Sequence, residues 1–346
     1  MNAISLFSGA GGLDLGVKHA GFHIRLCLDN DPVCCQTLRQ NNLSPLVLNA
    51  DLSALSGQDI RELVKLSPSE PIDLLFGGSP CQSFSFAGKR KGFKDERGQL
   101  LLHFFRLVQE LEPKSFLLEN VKGLLSATHS DFDIVSYFSS FVPSYRLYIA
   151  LLNAADYGVP QKRERLFVIG VHRSIPNHYR FPVPTHHREG KDGKPKWISV
   201  QDAFSSVPIQ QHHFIPYKPS QEKWMKLIPK GGGNWRDLYA YGESIVKQAM
   251  GKAFFSTGGR TGFWRRIRAD QPAPTLLTSP LHRSTMLGHP YEDRPLSIEE
   301  YLVLQTFPLN YRIAGSLVQQ YRQIGNAVPV LLAQQVSQSL HQILKK

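Results

Sequence analysis

The sequence predicts an α/β fold: a parallel sheet wrapped by helices, joined to a smaller and less regular second domain. Three observations predict it. The first 170 residues alternate short apolar runs with amphipathic stretches, the pattern of strands linked by crossover helices. From about Pro176 to Arg268 that alternation loosens, and Pro, Gly, His and Lys become frequent. Helical periodicity then returns, with Val328, Leu332, Val336 and Leu340 recurring every four residues as one apolar stripe. A chain of 346 residues has room for one large and one smaller domain. The expected division is a catalytic and ligand-binding domain over 1–174, an irregular domain over 175–270 and a closing segment over 271–346. The last helix of that segment is expected to pack back on the first domain.

The expected strands are Ala3–Phe7, Phe22–Leu28, Leu46–Leu48, Asp73–Phe76, Ser115–Leu118, Arg146–Leu152 and Leu166–Val171, each a short run rich in apolar residues. Between them, amphipathic stretches near Leu13–Ala20, Pro32–Asn41, Leu100–Glu110 and Phe132–Phe141 read as helices. Lys230-Gly231-Gly232-Gly233-Asn234 reads as a flexible loop, and Ser297–Phe307 and Val328–Leu344 as the closing helices. Sheets of this kind bind ligands at the carboxyl ends of their strands.

Composition narrows the function. No stretch approaches the ~20 apolar residues of a membrane span, and Met1-Asn2-Ala3-Ile4-Ser5 lacks a basic segment followed by an apolar one, so a cytoplasmic protein is expected. Cys27, Cys34, Cys35 and Cys81 form no CxxC pair, and no Cys/His cluster has zinc-ligand spacing, so no metal is expected. The net charge of +12 is unevenly placed: −2 over 1–160, +13 over 161–290 and +1 over 291–346. A charge run is usually a solvated face. One this lopsided, interleaved with Trp197, Trp224, Trp235, Tyr239, Tyr241 and Trp264, points to a polyanion such as nucleic acid.

Motifs fall at the expected strand ends. Ser8-Gly9-Ala10-Gly11-Gly12 lies between a strand and a helix, where glycines admit a ligand to the backbone and a helix N-terminus offers free N–H groups. It is not a dinucleotide fingerprint, because the last position of G-x-G-x-x-G counted from Gly9 is Asp14. That disfavours a nicotinamide or flavin and leaves an adenosyl ligand open. Asp29 ends the second strand, where a carboxylate takes ribose hydroxyls, and Asp51 follows the third, placed to accept from an adenine amino group. Gly77-Gly78-Ser79-Pro80-Cys81-Gln82 presents a thiol at the ligand edge. A free thiol with a pKa near 8.5 is only a few per cent thiolate at neutral pH, so attack requires a lower pKa or proton removal; Lys89-Arg90-Lys91 follows closely. Glu119-Asn120-Val121 ends the fifth strand, and Gln161-Lys162-Arg163-Glu164-Arg165 leads into the last, its Arg-x-Arg spacing placing both guanidinium groups on one face.

Taken in order, these residues resemble the DNA (cytosine-5)-methyltransferases of prokaryotic restriction–modification systems, nearly end to end. Phe7-Ser8-Gly9-Ala10-Gly11-Gly12 looks like the family's cofactor loop and Ser79-Pro80-Cys81-Gln82 its nucleophile loop. The Glu119 and Arg163-Glu164-Arg165 motifs look like its substrate side. Arg294-Pro295-Leu296-Ser297, Gln305-Thr306-Phe307-Pro308 and Gly325-Asn326-Ala327-Val328-Pro329 look like its closing motifs. The resemblance implies a Rossmann-like S-adenosylmethionine-dependent methyltransferase sheet, with S-adenosylhomocysteine as product and no metal. It implies Cys81 attacking C6 of a flipped-out cytosine, Glu119 holding or protonating N3, and Arg165 with Arg163 at the base's O2. The cofactor contacts it implies are Phe7, Gly9, Gly11, Asp29, Asn30, Asp51, Pro80, Leu100, Asn326 and Val328. One departure is visible: Asp29 and Asn30 stand where the family commonly has Glu and a bulky residue. Double-stranded DNA is the expected partner, recognised by the basic irregular domain; a cognate restriction endonuclease can belong to the same system, but no stable protein partner is implied and a monomeric enzyme is expected. Alternatives are a transfer-RNA methyltransferase with the same core, an inert DNA-binding relative and, more distantly, a nicotinamide oxidoreductase.

Overall fold

The computed structural model describes residues 1–67, 69–79, 96–126, 134–256 and 262–345. Its elements, in chain order, begin β1 (Asn2–Leu6), α1 (Gly12–His19), β2 (His23–Asp29), α2 (Pro32–Gln40), β3 (Val47–Asn49), α3 (Gly57–Leu63) and β4 (Leu74–Gly78). They continue α4 (Glu96–Leu111), β5 (Ser115–Val121), the single turn α5 (Gly123–Ser126), α6 (Ile134–Phe141), β6 (Tyr145–Asn153), β7 (Gln161–Lys162) and β8 (Glu164–His172). The remainder is α7 (Val200–Ser206), α8 (Pro219–Met225), α9 (Glu243–Met250), β9 (Ala273–Pro274), α10 (Ile298–Leu304), α11 (Leu317–Asn326) and α12 (Val330–Leu344). The chain divides into two compact units: Met1–Tyr157 with Glu164–Pro184 and Val328–Lys346, and Gly158–Arg163 with Thr185–Ala327. Residues 271–327, expected in a separate closing segment, thus belong to the second unit.

The first unit is built on a seven-stranded sheet of order β3-β2-β1-β4-β5-β8-β6. Its inner strands are near-continuous apolar runs because helices cover both faces; Ala3, Ile4, Leu6, Leu74, Leu75, Phe76, Phe116, Leu117 and Leu118 are fully buried. The sequence predicts a parallel sheet, and the sheet is not wholly parallel. β8 runs antiparallel to β5 and to β6. That reversal brings the start of β8 level with the carboxyl end of β5, Arg165 opposite Val121. α12 lies along α1 so closely that a Cβ on Gly16 would stand 2.4 Å from the Cβ of Ala333.

The second unit has a separate core around Trp224, Met225, Trp235, Leu238, Val246, Met250, Trp264 and Met286. Three of the tryptophans expected among DNA-facing cations therefore serve packing instead. Cations cover their flanks: Lys223 Nζ lies 4.2 Å from the Trp224 ring and the Arg283 guanidinium 5.3 Å from Trp264. Tyr239 and Tyr241 remain exposed. Two of the three glycines at 231–233 are tightly packed. A Cβ on Gly232 would meet Arg268 at 2.5 Å, and one on Gly233 would meet Pro229 at 2.7 Å. Among the described residues, no helix is long and apolar enough to cross a membrane.

Candidate active site

The carboxyl edge of the first unit's sheet collects Phe7, Gly9, Gly11, Asp29 and Glu119 of the predicted residues. β1 ends at Leu6, and the chain turns through Phe7, Gly9 and Gly11, all at positive φ (56°, 55° and 79°), before α1 begins. Gly11 caps α1 without any side-chain cap, and open space surrounds the position a Cβ on Gly9 would occupy. The loop thus exposes backbone where a ligand can approach. Asp29, at the end of β2, ties it down: Oδ2 accepts from the Gly9 N–H at 2.8 Å and Oδ1 from the Asp31 N–H at 2.8 Å. Each carboxylate oxygen retains a further lone pair for hydroxyl donors. Burial raises the Asp29 pKa, and these two N–H groups oppose the shift. Asn30 beside it is exposed.

Asp51 is exposed and caps the turn Leu52–Ala54, Oδ1 accepting from the Ser53 N–H at 2.8 Å; that bond lowers its pKa. Leu100 lies half-buried on α4. Val328 is buried in the first unit, whereas Asn326 is exposed at the end of α11 in the second.

The residues expected on the substrate side lie on three strands. Glu119 on β5 and Arg165 on β8 form a diagonal pair across adjacent antiparallel strands, Nε to Oε1 at 2.9 Å, with both side chains nearly buried. Burial lowers the Arg165 pKa and the neighbouring Glu119 carboxylate opposes it; an arginine remains charged in any case. On the other side of β5, Gly78 of β4 is level with Glu119. A Cβ there would come within 2.8 Å of Glu119 Oε2. The glycine makes the space that the carboxylate fills. Ser79 follows, its Oγ accepting from Asn120 Nδ2 at 3.1 Å, and both residues are buried. Asn120 Oδ1 in turn accepts from the Val121 N–H at 2.8 Å. Gly78, Ser79 and Asn120 carry no chemistry of their own in the sequence; their adjacency to Cys81 and Glu119 is the one signal that marks them.

Arg163 departs from expectation. The strand is interrupted at this residue, since β7 ends at Lys162 and β8 starts at Glu164, so the shared face implied by Arg-x-Arg spacing does not form. Arg163 belongs to the second unit and is 1% exposed there. Its guanidinium donates to the carbonyls of Leu276 (3.0 Å) and Gly325 (2.8 Å). Gln161 and Gln305 extend this buried network, Gln161 Nε2 donating to Gln305 Oε1 at 3.0 Å and Gln305 Nε2 to Ile324 O at 2.7 Å. Pro80, Cys81 and the Lys89-Arg90-Lys91 run lie outside the described residues. Among the described residues no group of His, Cys, Asp and Glu could hold a metal ion.

Comparison with known proteins adds independent findings. The family described as C-5 cytosine-specific DNA methylase matches residues 1–342. The type II methyltransferase M.Sau96I of Staphylococcus aureus is 38% identical over 347 residues, spanning 98% of this chain and 75% of its own. The type II methyltransferase M.Eco47II of Escherichia coli is 36% identical over 353 residues, spanning 99% and 79%. A solved structure described as a DNA modification methyltransferase encoded within an E. coli prophage superposes with a TM-score of 0.70 at 27% identity, covering 100% of both chains. The Entamoeba histolytica methyltransferase EhMeth shares the fold, with a TM-score of 0.66 at 16% identity over 100% and 99% of the two chains.

Proposed function

The chain belongs to the C-5 cytosine-specific DNA methylases, and from that premise we propose that it methylates C5 of a flipped-out cytosine in one short duplex DNA sequence through a covalent bond from Cys81 to C6. It acts as the modification enzyme of a restriction–modification system, as the names of its type II relatives suggest. S-adenosylmethionine supplies an electrophilic methyl group beside the loop Ser8–Gly12. The open, positive-φ glycines and the carboxylate of Asp29 suit its adenosyl part.

The chemistry follows from what cytosine lacks. Its C5 is a poor nucleophile. Addition of the Cys81 thiolate to C6 turns the ring into an enamine whose C5 takes the methyl group; loss of the C5 proton then expels the thiolate and restores the aromatic ring. Glu119 hydrogen-bonds or protonates N3, drawing electron density from the ring as the sulfur adds. Arg165, held 2.9 Å from Glu119, orients that carboxylate and offers its remaining N–H groups to the base's O2. Asn120 anchors Ser79, two residues before Cys81 in the chain. Cytosine within a stack cannot present C6 to a thiol, so the base leaves the helix at a cost of a few kcal/mol. Basic side chains of the second unit offset that cost through phosphate contacts.

The Glu119–Arg165 pair beside Gly78, at the strand edge leading to Cys81, carries this reading. Its test is methyl transfer from labelled S-adenosylmethionine to duplex DNA, with transfer RNA as a second substrate and bisulfite sequencing of the product. The expected result is C5-methylation of a single short DNA motif, lost in Cys81→Ala protein. Label confined to the RNA would overturn the choice of substrate.

A further inference from the structure

Two ion pairs bridge β5 and β8 at the edge that carries the candidate site. One is the nearly buried Glu119–Arg165 pair. The other joins Lys122, the residue after β5, to Glu164, the first residue of β8, with Nζ 3.0 Å from Oε2. Arg165 connects the two, because its Nη1 also donates to the Glu164 carbonyl at 2.8 Å. The outer pair differs from the inner one in exposure. Its side chains are 52% and 49% exposed, and neither makes another ion pair among the described residues. A pair so exposed adds little to stability. Its carboxylate would also work against the proposed substrate. A nucleotide whose base reaches Glu119 and Arg165 brings its own phosphates to the mouth of the same site, and Glu164 repels them at that range. An ammonium beside Glu164 removes the repulsion and can turn, since a lysine is a point charge on a flexible four-carbon stem.

We propose that Lys122 is a DNA-binding residue held in reserve: paired with Glu164 in the free enzyme, it transfers to a backbone phosphate of the flipped-out nucleotide when the duplex docks. The inference rests on reading Glu119 and Arg165 as the base-binding pair. Glu164 takes the place of the phosphate until DNA arrives, and so competes with it. Arg165 cannot make this exchange, because Glu119 holds its guanidinium in a nearly buried site. The two partners of one ion pair therefore have opposite effects on binding. Lys122 strengthens it, and Glu164 weakens it. A salt bridge that only fastened β5 to β8 would give losses of the same sign from either side.

Fluorescence-anisotropy titration of the full-length protein across a salt series reads the effect, with a labelled duplex carrying the motif that bisulfite sequencing identifies. Lys122→Gln should weaken binding about tenfold and flatten the plot of log Kd against log salt by about 0.9, the share of one phosphate contact. Lys122→Arg keeps the charge and should restore the slope. Glu164→Gln should tighten binding by up to about fivefold, with a slope no flatter than wild type. Urea midpoints of all three variants should match wild type, because the pair is exposed. A wild-type slope in Lys122→Gln, or weaker binding in Glu164→Gln, would overturn the proposal and leave methylation by the wild-type protein intact. A wild-type protein that methylates no duplex would overturn the base-binding reading as well.

Discussion

Two adjacent glycines should fail in opposite ways. A Cβ on Gly77 would lie 2.3 Å from the carbonyl oxygen of Leu6, backbone of the central strand β1. A Cβ on Gly78 would lie 2.8 Å from Oε2 of Glu119, the far end of a side chain. An ordinary carbon–oxygen contact is about 0.5 Å longer than the second value, so Gly78→Ala is relieved once the carboxylate moves by that amount. The 2.9 Å bond from Arg165 opposes the movement. The fold survives at a cost of about 1–3 kcal/mol, as for other overpacked sites, but Glu119 no longer stands where the proposed mechanism requires it. A 1 Å misplacement costs about 100-fold in rate, so a shift of about half that should cost about tenfold. Gly77→Ala can be relieved only by parting strands β1 and β4, so it should destabilise far more and give little soluble protein. Urea unfolding, with single-turnover methyl transfer under saturating donor and DNA, separates the two. If Gly78→Ala turned over within threefold of wild type, the close fit of Glu119 against β4 would not matter to catalysis, and the reasoning would fail.

The two acids assigned to the cofactor should behave differently. Asp29→Asn loses a charged acceptor for the Gly9 N–H and should weaken donor binding about tenfold, whereas Asp51→Asn, an exposed cap that any short polar side chain can replace, should change it less than threefold; equilibrium dialysis compares them. Arg163→Lys strands the buried carbonyls of Leu276 and Gly325 and should cost about 2–4 kcal/mol of stability with most turnover retained in folded protein. Arg165→Lys should do the reverse, losing about 100-fold in kcat with a smaller loss in the urea midpoint. Asp14 makes stability pH-dependent: burial lifts its folded pKa to about 6 from the ordinary 3.8, so its contribution is present below that lower value and lost as pH rises through 6. A shift of this size corresponds to roughly 3 kcal/mol. Asp14→Asn should accordingly gain stability over wild type at pH 8 by up to that amount, and denaturant melts near pH 4 should show the gain gone.

Much of the first unit was legible because strands buried on both faces must be apolar, and glycine loops and carboxylates interrupt those runs at one end only. What periodicity lacks is direction. The run Leu166–Val171 reads the same whichever way it lies, so the reversal of β8 was invisible, although it puts Arg165 beside Glu119. Long-range partners were equally hidden. Arg163 bonds to carbonyls 113 and 162 residues away, and nothing local distinguishes it from Arg165. Helix α11 escaped notice because its glutamines break an apolar stripe; Gln323 is nonetheless buried, donating to the carbonyl of Ala314 at 2.9 Å. Composition misled once. Trp224, Trp235 and Trp264 were taken with the cations around them as a surface, when the second unit required them as its interior. In the same way Arg266, buried and bonded to the carbonyls of Met225 and Ile228, is part of the framework rather than of a phosphate-binding face.

The central claim is that a sulfur–carbon bond forms between Cys81 and cytosine C6 during methyl transfer. Fluorine at C5 cannot depart as the proton does, so a target duplex carrying 5-fluorocytosine should arrest the reaction after methylation with the bond intact. Denaturing electrophoresis should then show a protein–DNA species that requires both the methyl donor and the recognition sequence, and that Cys81→Ala protein does not form. Absence of that species on the genuine target, with donor present and unmodified duplex methylated normally, would contradict the account.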